Sequence, residues 1–168
     1  MANSNVKKEL SCGAILYTLH NGSVKILLLE QDNAHYNRTG EEAKKRVIDI
    51  GPSGHINSSE KEEDAARREI YEETGLDGLS FDKGFRYDMK YEFDAEYDGK
   101  EVHIVKTRRY WCARIPDSLV DKIHISAEHK RYWMADINDA MSMEYIEDSK
   151  KELLQHFYAH ISKDVKRR

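Results

Sequence analysis

The chain has 168 residues, 39% of them apolar and 35% charged, with 31 acidic against 27 basic side chains and a formal net charge of −4. That length fits a single domain over residues 1–168, with a core from about 9 to 163, and ten Tyr, four Phe and two Trp supply the bulk for it without disulfides or structural metal. The acidic balance argues against an extended nucleic-acid surface, and two lone cysteines, Cys12 and Cys112, each in an apolar run, read as buried thiols rather than a disulfide framework or a cysteine-based zinc site.

Residues 1–9 are polar and lack the apolar centre of a signal peptide, and no stretch approaches a membrane span. A cytoplasmic protein without a membrane partner is the expectation. The first predicted strand is Ser11 to Leu19, the second Val24 to Leu29, with Asn21-Gly22 as the hairpin turn between them. Gln31 to Lys45 is polar and aperiodic and reads as a long loop, with at most a helical turn at Glu41 to Lys45; a loop of that length in a compact domain is expected to touch substrate. Val47 to Ile50 is a short strand ended by Gly51-Pro52-Ser53-Gly54.

Ser59 to Thr74 reads as a helix, with Ser59 and Glu62 spaced as a capping box and Gly75 placed to close it. Leu79 to Tyr97 alternates aromatic and polar residues and suits one or two strands, turning at Asp98-Gly99 into Glu101 to Ile115. His129 to Ala135 is a further strand. Asp136 to Tyr145 and Ser149 to Lys163 are helices, the last with Leu153, Leu154, Phe157 and Ile161 along one face. The tail Lys166-Arg167-Arg168 is expected to be solvated. The order of elements predicts an α+β domain with an α/β/α layering.

Glu69, Glu72 and Glu73 fall at i, i+3 and i+4 of the predicted helix, so their carboxylates share one face and repel by a few tenths of a kcal/mol per exposed pair. Hard dications offset such crowding, because Mg²⁺ takes carboxylate and water oxygens and bridges phosphates. Arg68 reaches Glu72 one turn on, and Glu60 sits near the helix start, where negative charge is favoured. An isolated triplet of this kind is more often a solvated face. This one lies within a longer pattern: Gly54, five residues, Glu60, seven residues, then Arg68-Glu69-Ile70-Tyr71-Glu72-Glu73-Thr74-Gly75-Leu76.

That segment resembles the signature of the Nudix hydrolases at every position. The resemblance implies a mixed β-sheet sandwiched between α-helices and hydrolysis of a nucleoside diphosphate linked to another group. It implies Mg²⁺ or Mn²⁺ held by Glu69, Glu72 and Glu73, Arg68 as their orienting partner, and Gly54 and Gly75 shaping the loop and closing the helix. His55 fits the loop that follows the glycine. Among these hydrolases the chain is similar to the asymmetrical diadenosine tetraphosphate hydrolases, through Tyr110-Trp111-Cys112-Ala113 and Ile125-Ser126-Ala127-Glu128-His129-Lys130 with Tyr132-Trp133, over most of residues 11–140. The resemblance makes Glu128 a further metal ligand or base; by itself it reads equally as an ordinary loop carboxylate. It also makes a small nucleotide the partner, most naturally a dinucleoside polyphosphate. A nucleoside triphosphate, a nucleotide sugar, a capped RNA end and a catalytically silent nucleotide-binding module are the alternatives. Ser53 before the signature glycine, and a stretch from His35 to Ile50 longer than that group's, depart from its pattern where phosphates approach.

Tyr87, Tyr91 and Trp133 are candidates either for cross-strand packing or for stacking on a purine. Lys106 and Arg108 are candidates for pairing with phosphates. His35, His103 and His129 lack recognisable ligand spacing.

Overall fold

A computed structural model describes residues 5–165. Strands β1 (Val6–His20), β2 (Ser23–Gln31), β3 (Ile48–Ile50), β4 (Ser53–His55), β5 (Tyr87–Tyr97), β6 (Lys100–Arg114) and β7 (His129–Asp136) form one sheet. Its order is β3-β2-β1-β6-β5, with β4 on β1 and β7 on β2. The β1–β6 pairing is parallel and the others are antiparallel, so the sheet is mixed.

Both tight hairpins form where the sequence places them. Asn21-Gly22 and Asp98-Gly99 adopt positive φ (49° and 78°, 51° and 73°), which matches the twist of the strands they join. The predicted strand from Leu79 is shorter: only Tyr87–Tyr97 forms β5, and Phe81 makes a single bridge to Ala113.

Helices α1 (Gly40–Lys44) and α3 (Asp117–Val120) are short. Helices α2 (Glu62–Thr74), α4 (Ile137–Ser142) and α5 (Asp148–Val165) cover the sheet. The period of two along each strand divides the core. Ile15, Tyr17, Ile26, Leu28, Tyr110 and Cys112 face α4 and α5, where Leu153, Leu154, Phe157 and Ile161 are all buried. Ala14, Leu16, Leu27, Leu29 and Ala113 face α2 through Ile70, and Cys12 and Trp111 pack with Ala65 and Ala66. The layered α+β arrangement is therefore as predicted, and both cysteines are free and buried.

The capping box does not form. Ser59 has a left-handed φ of 65°, and α2 begins at Glu62 after Lys61, without a side-chain cap. Glu60 is used differently: it accepts the Asn57 N–H at 2.9 Å and two donors from Arg68. A bidentate guanidinium pair is stronger than a neutral cap bond, so it draws the chain out of the helix one residue before Lys61. The far end is as predicted: Gly75, at φ 73°, donates its N–H to Tyr71 O at 2.8 Å. No helix among the described residues is long and apolar enough to cross a membrane. The predicted solvated tail lies outside the described residues.

Candidate active site

Helix α2 packs along β1 and β4, so one flank of the helix looks onto the β4 loop. Gly54 is where they touch. A Cβ on Gly54 would lie 2.3 Å from the Glu69 carboxylate, so only glycine lets that side chain lie against the strand. Arg68 spans the same junction. It donates to Glu60 (2.8 and 3.1 Å), to Glu69 Oε1 (2.7 Å), to Glu72 Oε2 (3.2 Å) and to the His55 carbonyl (2.9 Å). One guanidinium thus fixes the loop, the pre-helix turn and two of the helix carboxylates.

Glu73 points deeper. It accepts the Ser53 N–H at 2.9 Å and is 4% exposed. Burial, then the charges of Asp49, Glu128 and Glu69, push its carboxyl up to about 10. Burial also raises Glu69, against the pull of Arg68. Glu72 is half exposed and sits at the rim.

Glu128, in the turn just before β7, comes up to Glu73. Glu73, Glu128 and His129 offer ligand atoms within 4.8 Å of one another. The Tyr36 hydroxyl stands 3.5 Å from Glu128 Oε2, and burial and this carboxylate push the phenol up to about 12. His129 is buried, and its Nε2–H donates to Asp49 Oδ2 at 2.9 Å, while its Nδ1 is buried without a partner among the described residues. For Asp49 burial is the largest single influence and raises it. The bond from His129, the charge of Lys150 and the Gln31 amide together outweigh burial and hold Asp49 ionised.

The cleft also carries basic groups. A hollow of about 370 Å³ is lined by Glu73 and Glu128 together with Arg38, Lys106 and Arg108. It opens into a second hollow of about 410 Å³, sharing Gln31, Arg38, Asp49 and Arg108, and adding Tyr91, Met89 and Lys150. Lys150 is 5% exposed and spends one donor on the Ile48 carbonyl at 2.7 Å.

The predicted residues therefore divide. Glu69, Glu73, Arg68, Glu128, Gly54, His55, Lys106 and Tyr91 meet at or beside the cleft, with Glu72 at its edge. Tyr87 does not reach it. Tyr87 and Tyr91 share a face of β5, but α5 covers that face at Tyr87, whose ring lies 4.7 Å from that of His156. Trp133 lies elsewhere too, packed on the α5-side core under Arg46 and Arg131, both 5.8 Å from its ring. Arg38, Tyr36, Asp49 and Lys150 line the cleft, and buried His129 meets Glu73 and Glu128; the sequence did not single these five out as site residues. The one hint was the long polar loop, which supplies Tyr36 and Arg38.

The donor set suits a hard dication. Carboxylate oxygens crowd together, among the described residues no lysine or arginine pairs with Glu73 and one buried imidazole nitrogen has no partner, and Gly54 leaves the room Glu69 needs. The basic groups suit an anion carrying several charges. A layered α+β domain with acidic and basic side chains lining one cleft is the class that fold and site define.

The sequence profile of the NUDIX domain matches residues 10–157, and the chain belongs to the Nudix hydrolase family. It is 26% identical, over 85% of this chain and 89% of the relative, to the asymmetrical bis(5′-nucleosyl)-tetraphosphatase of Mus musculus. The fold is similar to that of the C. elegans Ap4A hydrolase in a binary complex (TM-score 0.68, 23% identity, 92% of this chain and 98% of that one). It is also similar to the NUDIX domain of Shewanella oneidensis NrtR complexed with ADP ribose (TM-score 0.56, 14% identity, 92% and 89%).

Proposed function

We propose that this protein hydrolyses a phosphoanhydride bond in a nucleoside diphosphate-linked substrate, with a dinucleoside polyphosphate such as diadenosine tetraphosphate as the preferred one. The observation that carries the reading is the meeting of Glu73 and Glu128 with Arg38, Lys106 and Arg108 in one cleft, with the Glu69 charge close enough to act on Glu73. The likeness to asymmetrical bis(5′-nucleosyl)-tetraphosphatases supports the choice of substrate.

Glu69, Glu73 and Glu128 would hold Mg²⁺ or Mn²⁺, with Glu72 at the rim. When bound, such an ion supplies polarisation of phosphoryl oxygens and a water of lowered pKa. The chain's own groups do the rest. Arg68 fixes Glu69, and the Ser53 N–H fixes Glu73. Arg38, Lys106 and Arg108 draw the phosphate chain along the cleft and neutralise it, aligning the anhydride for in-line attack. Burial, then Arg108, already lowers Lys106, and an arriving phosphate reverses that. Glu128 accepts the proton of the attacking water at a carboxylate oxygen, with the Tyr36 hydroxyl beside it. Tyr91 and Met89 offer apolar surface for a base in the adjoining hollow.

The test is product separation by chromatography. Diadenosine tetraphosphate with Mn²⁺ is expected to give two unequal mononucleotides, and chelator is expected to stop the reaction. Turnover of nucleoside triphosphates, nucleotide sugars or capped RNA in its place would replace the substrate. No turnover of any of them, with nucleotide binding intact, would make the chain a silent binding module.

A further inference from the structure

A second group of ligand-type side chains lies away from the cleft. Cys112 faces the α5 side of the sheet, in a wholly buried position on β6. Asp82, whose backbone N–H donates to the Cys112 carbonyl at 2.9 Å, brings its carboxylate alongside. His160 reaches in from α5. The three offer a thiol sulfur, a carboxylate oxygen and an imidazole nitrogen within 4.8 Å of one another. From Arg108 at the cleft to Cys112 is four residues along one strand face, or about 13 Å.

Three observations separate this group from ordinary packing. First, His160 Nε2 is buried and makes no hydrogen bond among the described residues; Asp82 Oδ2, 3.5 Å away, is an ion-pair partner only for a protonated imidazole and already accepts from Tyr17. Second, Asp82 is already oriented: the Tyr17 hydroxyl donates to Oδ2 at 2.6 Å, the kind of outer support that fixes a ligating carboxylate. Third, a hollow of about 460 Å³ lined by Tyr17, Leu19, Asp82, Arg114 and Asp164 adjoins the group, so water reaches its outer side.

From this geometry we infer that Asp82, Cys112 and His160 form a second metal site, of the zinc class, with water from the hollow as fourth ligand. Sulfur and imidazole select a borderline-soft ion such as Zn²⁺ over Mg²⁺, and carboxylate, thiolate and imidazole are each ligand types that Zn²⁺ takes. The three ligand atoms, within 4.8 Å of one another, would draw in to metal–ligand lengths of about 2.0–2.3 Å. Burial, then the Asp82 charge, raises the thiol well above its ordinary range, so it carries its proton until an ion arrives. Binding therefore forms a metal–sulfur bond and releases the thiol proton to solvent. The ion would join β6, the segment after Gly78, and α5, which are far apart in sequence, and so pin the C-terminal helix to the sheet.

Co²⁺ is the probe, titrated into the reduced, metal-stripped full chain. A thiolate-to-cobalt charge-transfer band in the near ultraviolet is expected, displaced by one equivalent of Zn²⁺, with about one proton released per ion bound at neutral pH. The band should vanish in Cys112→Ser and His160→Gln and persist in Cys12→Ser and Glu73→Gln. Its persistence in Glu73→Gln separates this site from the carboxylate cleft. Zn²⁺ should also raise the melting temperature of the unmodified chain and of Glu73→Gln by about 5 °C or more, and that of His160→Gln by much less. Lack of the band in the unmodified chain, its survival in His160→Gln, or its loss in Cys12→Ser would each overturn the assignment.

Discussion

The carboxylate cleft and the Asp82–Cys112–His160 group are both built on partly buried acids, yet they manage those acids in opposite ways. In the cleft, Glu73 has one backbone donor and several like charges around it, so burial drives it to hold a proton. At the other end of β6, Asp82 has a tyrosine hydroxyl, and a thiol and an imidazole stand beside it. The first arrangement leaves crowded carboxyl oxygens that a hard dication would deprotonate and hold, while Arg38, Lys106 and Arg108 in the same cleft meet a polyanion. The second leaves lone pairs and a removable thiol proton, which suit a softer ion. Donor type, more than acidity, separates them.

The sharpest way to break that contrast is at Glu73. Glu73→Gln keeps the shape and the Ser53 contact but can no longer ionise to hold a dication, and turnover should fall by about two orders of magnitude or more with the fold unchanged. Near-normal rates in the folded variant would remove the cleft from the reaction. Gly54→Ala comes next. Its Cβ would displace a Glu69 carboxylate that Arg68 holds in place, so kcat should drop by about tenfold to a hundredfold. If kcat is unaffected, the close approach of β4 to α2 has no functional weight.

Arg108→Gln should act on the basic groups of the cleft, raising KM about tenfold for a tetraphosphate substrate through one lost charge-assisted contact, and less for a shorter one. Equal effects on both would mean that Arg108 does not touch phosphate. A smaller effect is expected in stability. Glu73 has its carboxyl raised from about 4.5 to about 10 in the folded chain. A raised pKa stabilises the fold below the unfolded value and withdraws that contribution as pH climbs toward the folded value. Without metal, the melting temperature should therefore decline between about pH 5 and 10 more steeply than in Glu73→Gln, and Mn²⁺ should flatten the decline. Parallel curves for the two proteins would show that Glu73 is ionised in the folded state. Smallest of all, His160→Gln should change Mn²⁺-dependent turnover by less than about twofold, because it lines neither hollow of the cleft and its neighbour Cys112 stands about 13 Å along β6 from Arg108; a large loss would couple the two regions.

By itself the sequence determined the elements and the main acids. Hairpins at Asn21-Gly22 and Asp98-Gly99, the closure of α2 at Gly75, the amphipathic α5 and the clustering of Glu69, Glu72 and Glu73 all follow from local rules: backbone preference, period and helical spacing. Only tertiary structure decided what those acids face. The parallel pairing of β1 with β6 carries Lys106 and Arg108 to the cleft, the helix α5 covers Tyr87 but not Tyr91, and the loop after β2 delivers Tyr36 and Arg38. Cys112 read as an inert buried thiol because its neighbours Asp82 and His160 come from segments that no local spacing connects. Contacts between residues distant in sequence are fixed by the packing of whole elements, and short-range patterns carry no record of them.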